Sequence, residues 1–198
     1  TVYGELVKEI AITQLDPNAK LIEIPDETMR SVCLKNDFII HISGSQCIVL
    51  EAGLNATSFN NDSYNSFKSI EGIENFPNLV EINLGYSNYL EKLDISGLHK
   101  VKSLTFSNPT KCREYNLGDN PILNFYPGGE RGYTELESLK FISSKLENLN
   151  LSLHEWYQWD DWVTSIDVSE CPALTTLNAD RSDKVKTLYL KTGQVIPN

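Results

Sequence analysis

A short apolar pattern, repeated ten times from residue 79 onwards, restricts the fold of this chain more than any other feature. Each copy reads apolar-x-x-apolar-x-apolar, and most copies start 11 residues after the one before. The copies start at Leu79, Leu90, Val101, Cys112, Leu123, Leu136, Leu146, Val163, Leu174 and Val185. Of the thirty apolar positions, only Gly128 holds a residue that is not apolar. Such regularity indicates a repeat architecture, in which each unit packs on its neighbours.

The pattern within each copy is that of a short β-strand. Counting the first apolar residue as position 0, positions 3 and 5 lie on the same side of an extended chain, so both enter the core. Position 4 then faces outward, and it is polar in Asn83, Asp94, Thr105, Asn116, Asn150, Asp167 and Asn178. Eleven residues are about half of the 20–29 residues of a leucine-rich repeat. Two copies therefore make one coil, with successive strands on opposite sides of a flattened tube.

The sequence thus predicts an α/β solenoid, a right-handed leucine-rich-repeat coil of parallel strands with 11-residue half-repeats and few helices. We expect the array over 67–198 and an N-terminal cap over 1–66, because the first coil would otherwise expose an apolar end. Within the cap, the pattern predicts strands near 10–12 and at 21–24, one helix at about 26–35 with Asp26 as its N-cap, and a polar loop over 55–66.

Several segments resemble surface and secreted leucine-rich-repeat proteins of gut anaerobic bacteria, whose repeats carry an LDVS-type motif. The segments VTSIDVSECPALTTLNAD (163–180) and YLEKLDISGLHKVKSLTFSN (89–108) are similar to that repeat. IPDETMRSVCLKN (24–36) resembles the capping helix, SIEGIENFPNLVEINL (69–84) the first repeat, and KTLYLKTGQVIPN (186–198) the closing segment. The resemblance implies an extracellular or outer-surface protein, a lipoprotein whose signal and lipid anchor would lie outside this chain. Many such proteins have a calcium loop after the cap helix, but residues 36–51 lack its spaced acidic ligands.

Charge and cysteine content narrow the classes of partner. The net charge is −10 and the pI about 4.8, which disfavours nucleic acid and anionic membrane surfaces. No apolar run reaches the roughly 18–20 residues of a membrane-spanning helix. The four cysteines contain no CxxC pair, which argues against structural zinc. Cys33 and Cys47 fit either a disulfide or two buried thiols, and Cys112 and Cys171 are expected to be buried structural thiols.

The inventory of catalytic groups is poor, so we expect no enzyme and no cofactor. His41, His99 and His154 are scattered along the chain, and neither a GxSxG elbow, a Walker A loop nor GxGxxG is present. The KTG at 191–193 has no SxxK to accompany it. A metal site in the acidic loop at 154–161 is less plausible than a solvated loop.

The best candidate binding segment is the second of two insertions that interrupt the rhythm, at 127–134 and 153–162. Its sequence HEWYQWDDW (154–162) holds all three tryptophans of the chain. The candidate ligand-binding residues are Trp156, Tyr157, Trp159, Asp160, Asp161 and Trp162. Exposed Trp and Tyr suit protein hot spots and sugar stacking. The alternative is that at least two of the rings fold back onto the irregular coil.

These features predict a non-catalytic cell-surface binding or adhesion scaffold. Its partner would be a host or neighbouring surface protein, recognised through the solenoid face and protruding loops. The alternative is a glycan-binding surface protein that uses the Trp-rich loop, and a structural spacer is a third reading. The sequence alone leaves open which half-repeats share a face.

Overall fold

The computed structural model describes residues 20–61, 66–127, 136–151, 163–179 and 184–196. In these residues the chain is a solenoid of mostly parallel β-strands with two short helices, so it is mostly β rather than α/β. The helices are α1 (Glu27–Lys35) and α2 (Glu51–Asn55). The strands are β1 (Leu21–Glu23), β2 (Ile39–Ser43), β3 (Gln46–Val49), β4 (Ser58–Asn60), β5 (Glu81–Tyr86), β6 (Lys92–Asp94), β7 (Ser103–Ser107), β8 (Glu114–Gly118), β9 (Asn124–Phe125), β10 (Ser138–Ser143), β11 (Asn148–Asn150), β12 (Ser165–Glu170), β13 (Thr176–Asn178) and β14 (Thr187–Tyr189).

From β5 onwards, every parallel pair that is described joins a strand to the next but one in the chain. β6 pairs with β8, β8 with β10, β10 with β12 and β12 with β14, which makes one five-stranded parallel sheet. The other strands of this part of the chain form two three-stranded parallel sheets, β4-β5-β7 and β9-β11-β13. Each coil therefore contributes one strand to each side, as the 11-residue spacing predicts. The insertions lengthen individual coils without changing this alternation.

The apolar ladder fills the space between the two sides. Position 3 residues such as Leu93 and Ile82 are at most 1% exposed, and so are position 5 residues such as Ile95 and Leu84. In the middle of the tube the ladder is aromatic. The Tyr115 ring stacks on Phe141 at a centroid distance of 5.0 Å, and also contacts Phe125 and Phe106 at 5.6 and 6.2 Å. These rings lie under both sides and connect them.

One repeat is out of the predicted phase by a single residue. Leu123 and Tyr126, predicted to be core residues, are 44% and 48% exposed, whereas Ile122 and Phe125 are 2% and 3% exposed. The parallel register also aligns Phe125 with Leu149, a position 3 residue. The unit therefore starts at Ile122, and buried Pro127 takes position 5 in place of Gly128.

The N-terminal cap closes the first coil with a small antiparallel sheet, β1-β3-β2, and with α1. Asp26 Oδ1 accepts the N–H of Met29, as an N-cap does, while Oδ2 accepts the N–H groups of Lys68 and Ser69. One carboxylate thus starts the helix and holds the cap to the array. Gly72, at φ 100°, lies against this cap, and a Cβ there would be 2.7 Å from the carbonyl oxygen of Glu23. The strand predicted near 10–12 lies outside the described residues.

The structure differs from the sequence prediction at two further places near the cap. The segment predicted as a polar loop contains β4, which pairs in parallel with β5 and buries Phe59 to 1% exposure. The cap also has a second helix, α2, beside the one that was predicted. β4 aligns Phe59 with Ile82, so it occupies position 3 of a further unit.

The last coil is less enclosed than the others. Leu188 and Leu190, at positions 3 and 5 of β14's unit, are 40% and 37% exposed. Their counterparts in the preceding unit of the same sheet, Ile166 and Val168, are at most 1% exposed. Only β12 pairs with β14 among the strands that are described.

Candidate functional site

The two sides of the tube carry different side chains at the outward positions 2 and 4. We call the side of β4, β5, β7, β9, β11 and β13 the amide face. Its outward residues are Ser58, Asn60, Glu81, Asn83, Ser103, Thr105, Asn124, Tyr126, Asn148, Asn150, Thr176 and Asn178. The charged face consists of the corresponding residues of β6, β8, β10, β12 and β14. They are Lys92, Asp94, Glu114, Asn116, Ser138, Lys140, Ser165, Asp167, Thr187 and Tyr189. Five of these ten are charged, against one of the twelve on the amide face, so charge is segregated by side.

Ion pairs run across neighbouring strands of the charged face. Lys92 Nζ lies 2.9 Å from Glu114 Oε1 and 3.3 Å from Asp94 Oδ2, and Lys140 Nζ lies 2.7 Å from Glu170 Oε1. The bond to Glu114 raises the pKa of Lys92, and the bond to Glu170 raises the pKa of Lys140. Burial works against ionisation of Asp94, but bonds from Ser96 and Lys92 outweigh it and lower the pKa. Both lysines of this face are thus paired with carboxylates.

Amide pairs replace these ion pairs on the amide face. Asn83 Nδ2 donates to Asn60 Oδ1 at 2.8 Å, and Asn148 Nδ2 donates to Asn124 Oδ1 at the same distance. Asn83 Oδ1 also accepts the N–H of Gly85 two residues on. These bonds hold the amide groups of Asn83 and Asn148 in fixed orientations along the face.

The amide face is divided by a seam between β7 and β9. In the other coils, the carbonyls of Thr57, Val80, Leu123 and Glu147 each accept two N–H groups from the next strand on this side. The equivalent carbonyl, that of Lys102, accepts no such bond from Leu123 or Asn124, and no pairing joins β7 to β9 in the described part of the chain. Phe125 follows Leu104 by 21 residues, whereas Leu104 follows Ile82 by 22. The coil between β7 and β9 is thus one residue shorter than the coil before it.

Core residues at the seam are less covered than those in the neighbouring strands β5 and β9, where Ile82 and Phe125 are 1% and 3% exposed. Leu104 and Phe106, at core positions of β7's unit, are only partly buried. Beside them Tyr126 occupies position 4, where the other strands carry Asn or Thr, and its side chain is 48% exposed. Polar backbone groups, an aromatic ring and apolar carbon therefore lie along the seam, on a face whose only charged outward residue at positions 2 and 4 is Glu81.

The residues predicted as the binding site, Trp156, Tyr157, Trp159, Asp160, Asp161 and Trp162, lie outside the described residues. The flanking residues Leu151 and Val163 are core residues, 3% and 4% exposed. In chain order the segment connects β11 on the amide face to β12 on the charged face. The sequence prediction does not include Tyr126, because it starts this unit at Leu123, one residue too late. With Ile122 at position 0, its outward position follows from the sequence.

A cleft of about 410 Å³ lies between the charged face and the turn at 69–74. Its lining includes Glu71, Glu74, Lys92 and Asp94. Glu74 is already bonded to the N–H of Gly72 and the amide of Asn75, so it serves the turn there. This cleft extends the charged surface towards the cap.

The two histidines that are described make local contacts on the surface. His41 Nε2 contacts the carbonyl oxygen of Gly44, and His99 Nδ1 lies 2.6 Å from Asp119 Oδ1 on the surface. The bond from His99 lowers the pKa of Asp119. His154 is outside the described residues. Among the residues that the structure does describe, no group of three His, Cys, Asp or Glu side chains is close enough to share a metal ion.

The four cysteines are buried free thiols. Burial raises the pKa of Cys33 and of Cys112 to about 12 and that of Cys171 to about 11, and it raises the pKa of Cys47 as well. Since the thiolate is the reactive form, none of them is activated as a nucleophile.

Among the helices described, none is both long and apolar enough to cross a bilayer. Comparison with protein-family models gives no match, and no curated protein is significantly similar to the chain.

Proposed function

We propose that this protein is a non-catalytic binding scaffold that recognises a protein partner through its charged face. The observation that carries the proposal is the segregation of charge onto one side of the tube, since solubility would be served equally by charges on either side. Local structure does not explain the segregation. Asp94 and Asp167 on the charged face accept the N–H of the residue two positions on, and Asn83 on the amide face does the same. Asp and Asn both satisfy this turn, so the turn does not select the charge.

The charged face has properties that suit specific protein recognition. Its ion pairs keep Lys92 and Lys140 in place, so a partner meets a fixed pattern of both signs rather than a diffuse field. Complementary charge patterns supply specificity and association rate at protein interfaces. Exposed Tyr189 and partly buried Ile142 add apolar area to the same side. Parallel strands about 4.8 Å apart repeat this pattern over five strands.

The test begins with cross-linking of surface or secreted proteins to the immobilised chain, followed by binding of the purified candidate. A variant with both Lys92→Glu and Lys140→Glu should bind at least about tenfold more weakly, and wild-type affinity should fall with added salt. The control is Lys35→Glu with Lys102→Glu, which makes the same change in net charge on α1 and at the start of β7. Equal weakening by both variants would exclude a site on the charged face.

A second candidate is a glycan-binding surface protein that acts through the Trp-rich loop. It is favoured by the concentration of all three tryptophans in 154–162. Trp156→Ala with Trp159→Ala should then abolish signals on a glycan array and leave the unfolding midpoint unchanged. Loss of stability with intact glycan signals would instead indicate that the rings pack on the coil.

The proposed location is the outer cell surface, with a lipid anchor supplied outside this chain. The support is the resemblance of 163–180 and 24–36 to bacterial surface proteins with leucine-rich repeats. Surface biotinylation of cells that express the natural protein tests it, because an internal protein would stay unlabelled until the cells are lysed.

A further inference from the structure

The lack of charge on the amide face restricts what could bind there. Only Glu81 is charged among its twelve outward residues, in a chain in which 22% of residues are charged. Protein surfaces carry many charged groups. Those groups would lose water against this face without gaining a charged partner, at a substantial cost in free energy. A ligand whose polar groups are uncharged hydroxyls avoids that cost. The Asn amides and the Ser and Thr hydroxyls of this face can both donate hydrogen bonds to such a ligand and accept them from it.

The seam adds the features that such a ligand needs. The exposed ring of Tyr126 offers a flat apolar surface, and a pyranose ring has C–H groups on its faces and hydroxyls at its rim. The carbonyl of Lys102 lacks the strand-to-strand bonds found in the neighbouring coils. Partly buried Leu104 and Phe106 lie in the same break. A sugar can thus stack on the tyrosine while its rim hydroxyls reach backbone and amide groups.

The remainder of the face extends this site along the tube. Amide pairs lie on both sides of the seam, Asn60 with Asn83 before it and Asn124 with Asn148 after it. Their mutual bonds fix the orientation of the groups before a ligand arrives, which reduces the entropy lost on binding. Strands repeat at about 4.8 Å, so similar polar groups recur at a regular interval across the strands. This arrangement fits a linear polymer rather than a single small molecule.

We propose that the amide face binds a neutral polysaccharide, which lies across the strands and stacks a sugar ring on Tyr126 at the seam between β7 and β9. The proposal rests on the protein being a binding scaffold, but it concerns the face opposite the one assigned to a protein partner. It is also separate from the Trp-rich loop.

Affinity gel electrophoresis of the chain tests the proposal, with laminarin, mannan, xylan, dextran and soluble starch as neutral probes and alginate and polygalacturonate as acidic ones. At least one neutral polymer should retard the wild-type chain, and salt should have little effect because the polymer carries no charge. Tyr126→Ala should weaken this retardation about tenfold, by analogy with the loss of one well-packed aromatic contact. Tyr189→Ala is the matched control, since Tyr189 is similarly exposed, at 55% against 48% for Tyr126, but lies on the charged face.

The outcomes separate this proposal from those made above. Retardation by no neutral polymer overturns it, as does a Tyr126→Ala chain that migrates like wild type in the retarding gel. Retardation lost only in the Trp156→Ala, Trp159→Ala variant would place the sugar on the Trp-rich loop instead. The Lys92→Glu, Lys140→Glu variant should keep polysaccharide binding. A result of that kind, together with unchanged protein binding by Tyr126→Ala, would show that either site can fail independently of the other. An unchanged unfolding midpoint for Tyr126→Ala confirms that the fold is intact.

Discussion

The amide face and the charged face are built from the same repeat, yet they present different chemistry to solvent. On both, several strands have an Asn or Asp at position 4, and its side chain can accept the N–H of the residue two positions on, as in Asn83 and Asp167. On one side neighbouring strands are joined by amide pairs and on the other by ion pairs. Both kinds of pair satisfy the requirements of the coil, so the fold does not account for the difference in outward side chains. We assign that difference to binding. A comparison of equivalent positions separates what the fold needs from what it does not.

The two faces also differ in continuity. The charged face is one sheet of five strands, whereas the amide face is split into two sheets of three. Beneath both lies the same aromatic cluster, in which Tyr115 and Phe141 stack at 5.0 Å. The core rings beneath the two faces also differ in burial. Phe141, in β10 of the charged face, is 1% exposed, whereas Phe106, in β7 of the amide face, is only partly buried.

The largest effect that we predict comes from removing these rings. Phe141→Ala should lower the free energy of unfolding by about 3–5 kcal/mol, the usual cost of deleting a fully buried phenylalanine. Phe106→Ala should cost clearly less, because its ring at the seam already contacts solvent. Urea denaturation of both variants provides the measurement. Equal losses would mean that the seam is closed in solution and that the two faces are equally continuous.

A second comparison uses one residue type in two environments. Asn120 is fully buried at the bend after β8, where Oδ1 accepts the N–H of Val101 and Nδ2 donates to the carbonyls of Ile95 and Leu117. Asn120→Ala leaves these groups unpaired, so we expect a loss of about 2–3 kcal/mol. Asn83→Ala, on the exposed amide face, should cost only about 0.5 kcal/mol. Chemical denaturation measures both. A large loss for Asn83 would assign the amide ladder to stability rather than to binding.

Much of the fold follows from the sequence, because the apolar ladder satisfies one pattern over many units and a local rule suffices to find it. The phase at residue 122 is ambiguous because ILNFYPG fits the pattern in two ways. Only the choice of Ile122, Phe125 and Pro127 makes all three positions apolar. The sequence does not predict β4 for a different reason. Phe59 is the one large apolar residue of this strand, and the segment is a strand because it pairs with β5.

The two faces could not be assigned from the sequence because they depend on long-range pairing. Which strands share a side follows from the alternation of coils, and the insertions at 127–134 and 153–162 obscure this in the linear sequence. The seam is even harder to predict from the sequence, since a coil shorter by one residue is indistinguishable from normal variation in repeat length. The residues that the sequence did single out, in the Trp-rich loop, remain a prediction.

A smaller effect should distinguish ion pairs from amide pairs. Lys140→Met removes the contact with Glu170, and because both side chains are substantially exposed we expect a loss of at most about 1 kcal/mol at low salt. That loss should shrink in 1 M NaCl, where the Debye length is about 3 Å. Asn148→Ala on the amide face should show a small loss that does not change with salt. Denaturation at two salt concentrations measures both, and a salt-independent effect of Lys140→Met would show that its packing matters more than its charge.

The smallest predicted effect concerns acid. The pKa of Asp94 is lowered in the folded chain, with bonds from Ser96 and Lys92 outweighing burial. A lowered carboxyl pKa stabilises the fold above the unfolded value near 3.8, and this contribution is lost as the pH falls below it. Asp94→Asn should therefore reduce the stability difference between pH 6 and pH 3, by a few tenths of a kcal/mol because Asp94 is partly exposed. Asn83→Ala, at the same position on the opposite face, should leave that difference unchanged. Thermal or urea unfolding at the two pH values decides the matter: if Asp94→Asn leaves the pH dependence intact, the bonds to Ser96 and Lys92 do not persist in solution, and the charged face loses the fixed geometry on which protein recognition depends.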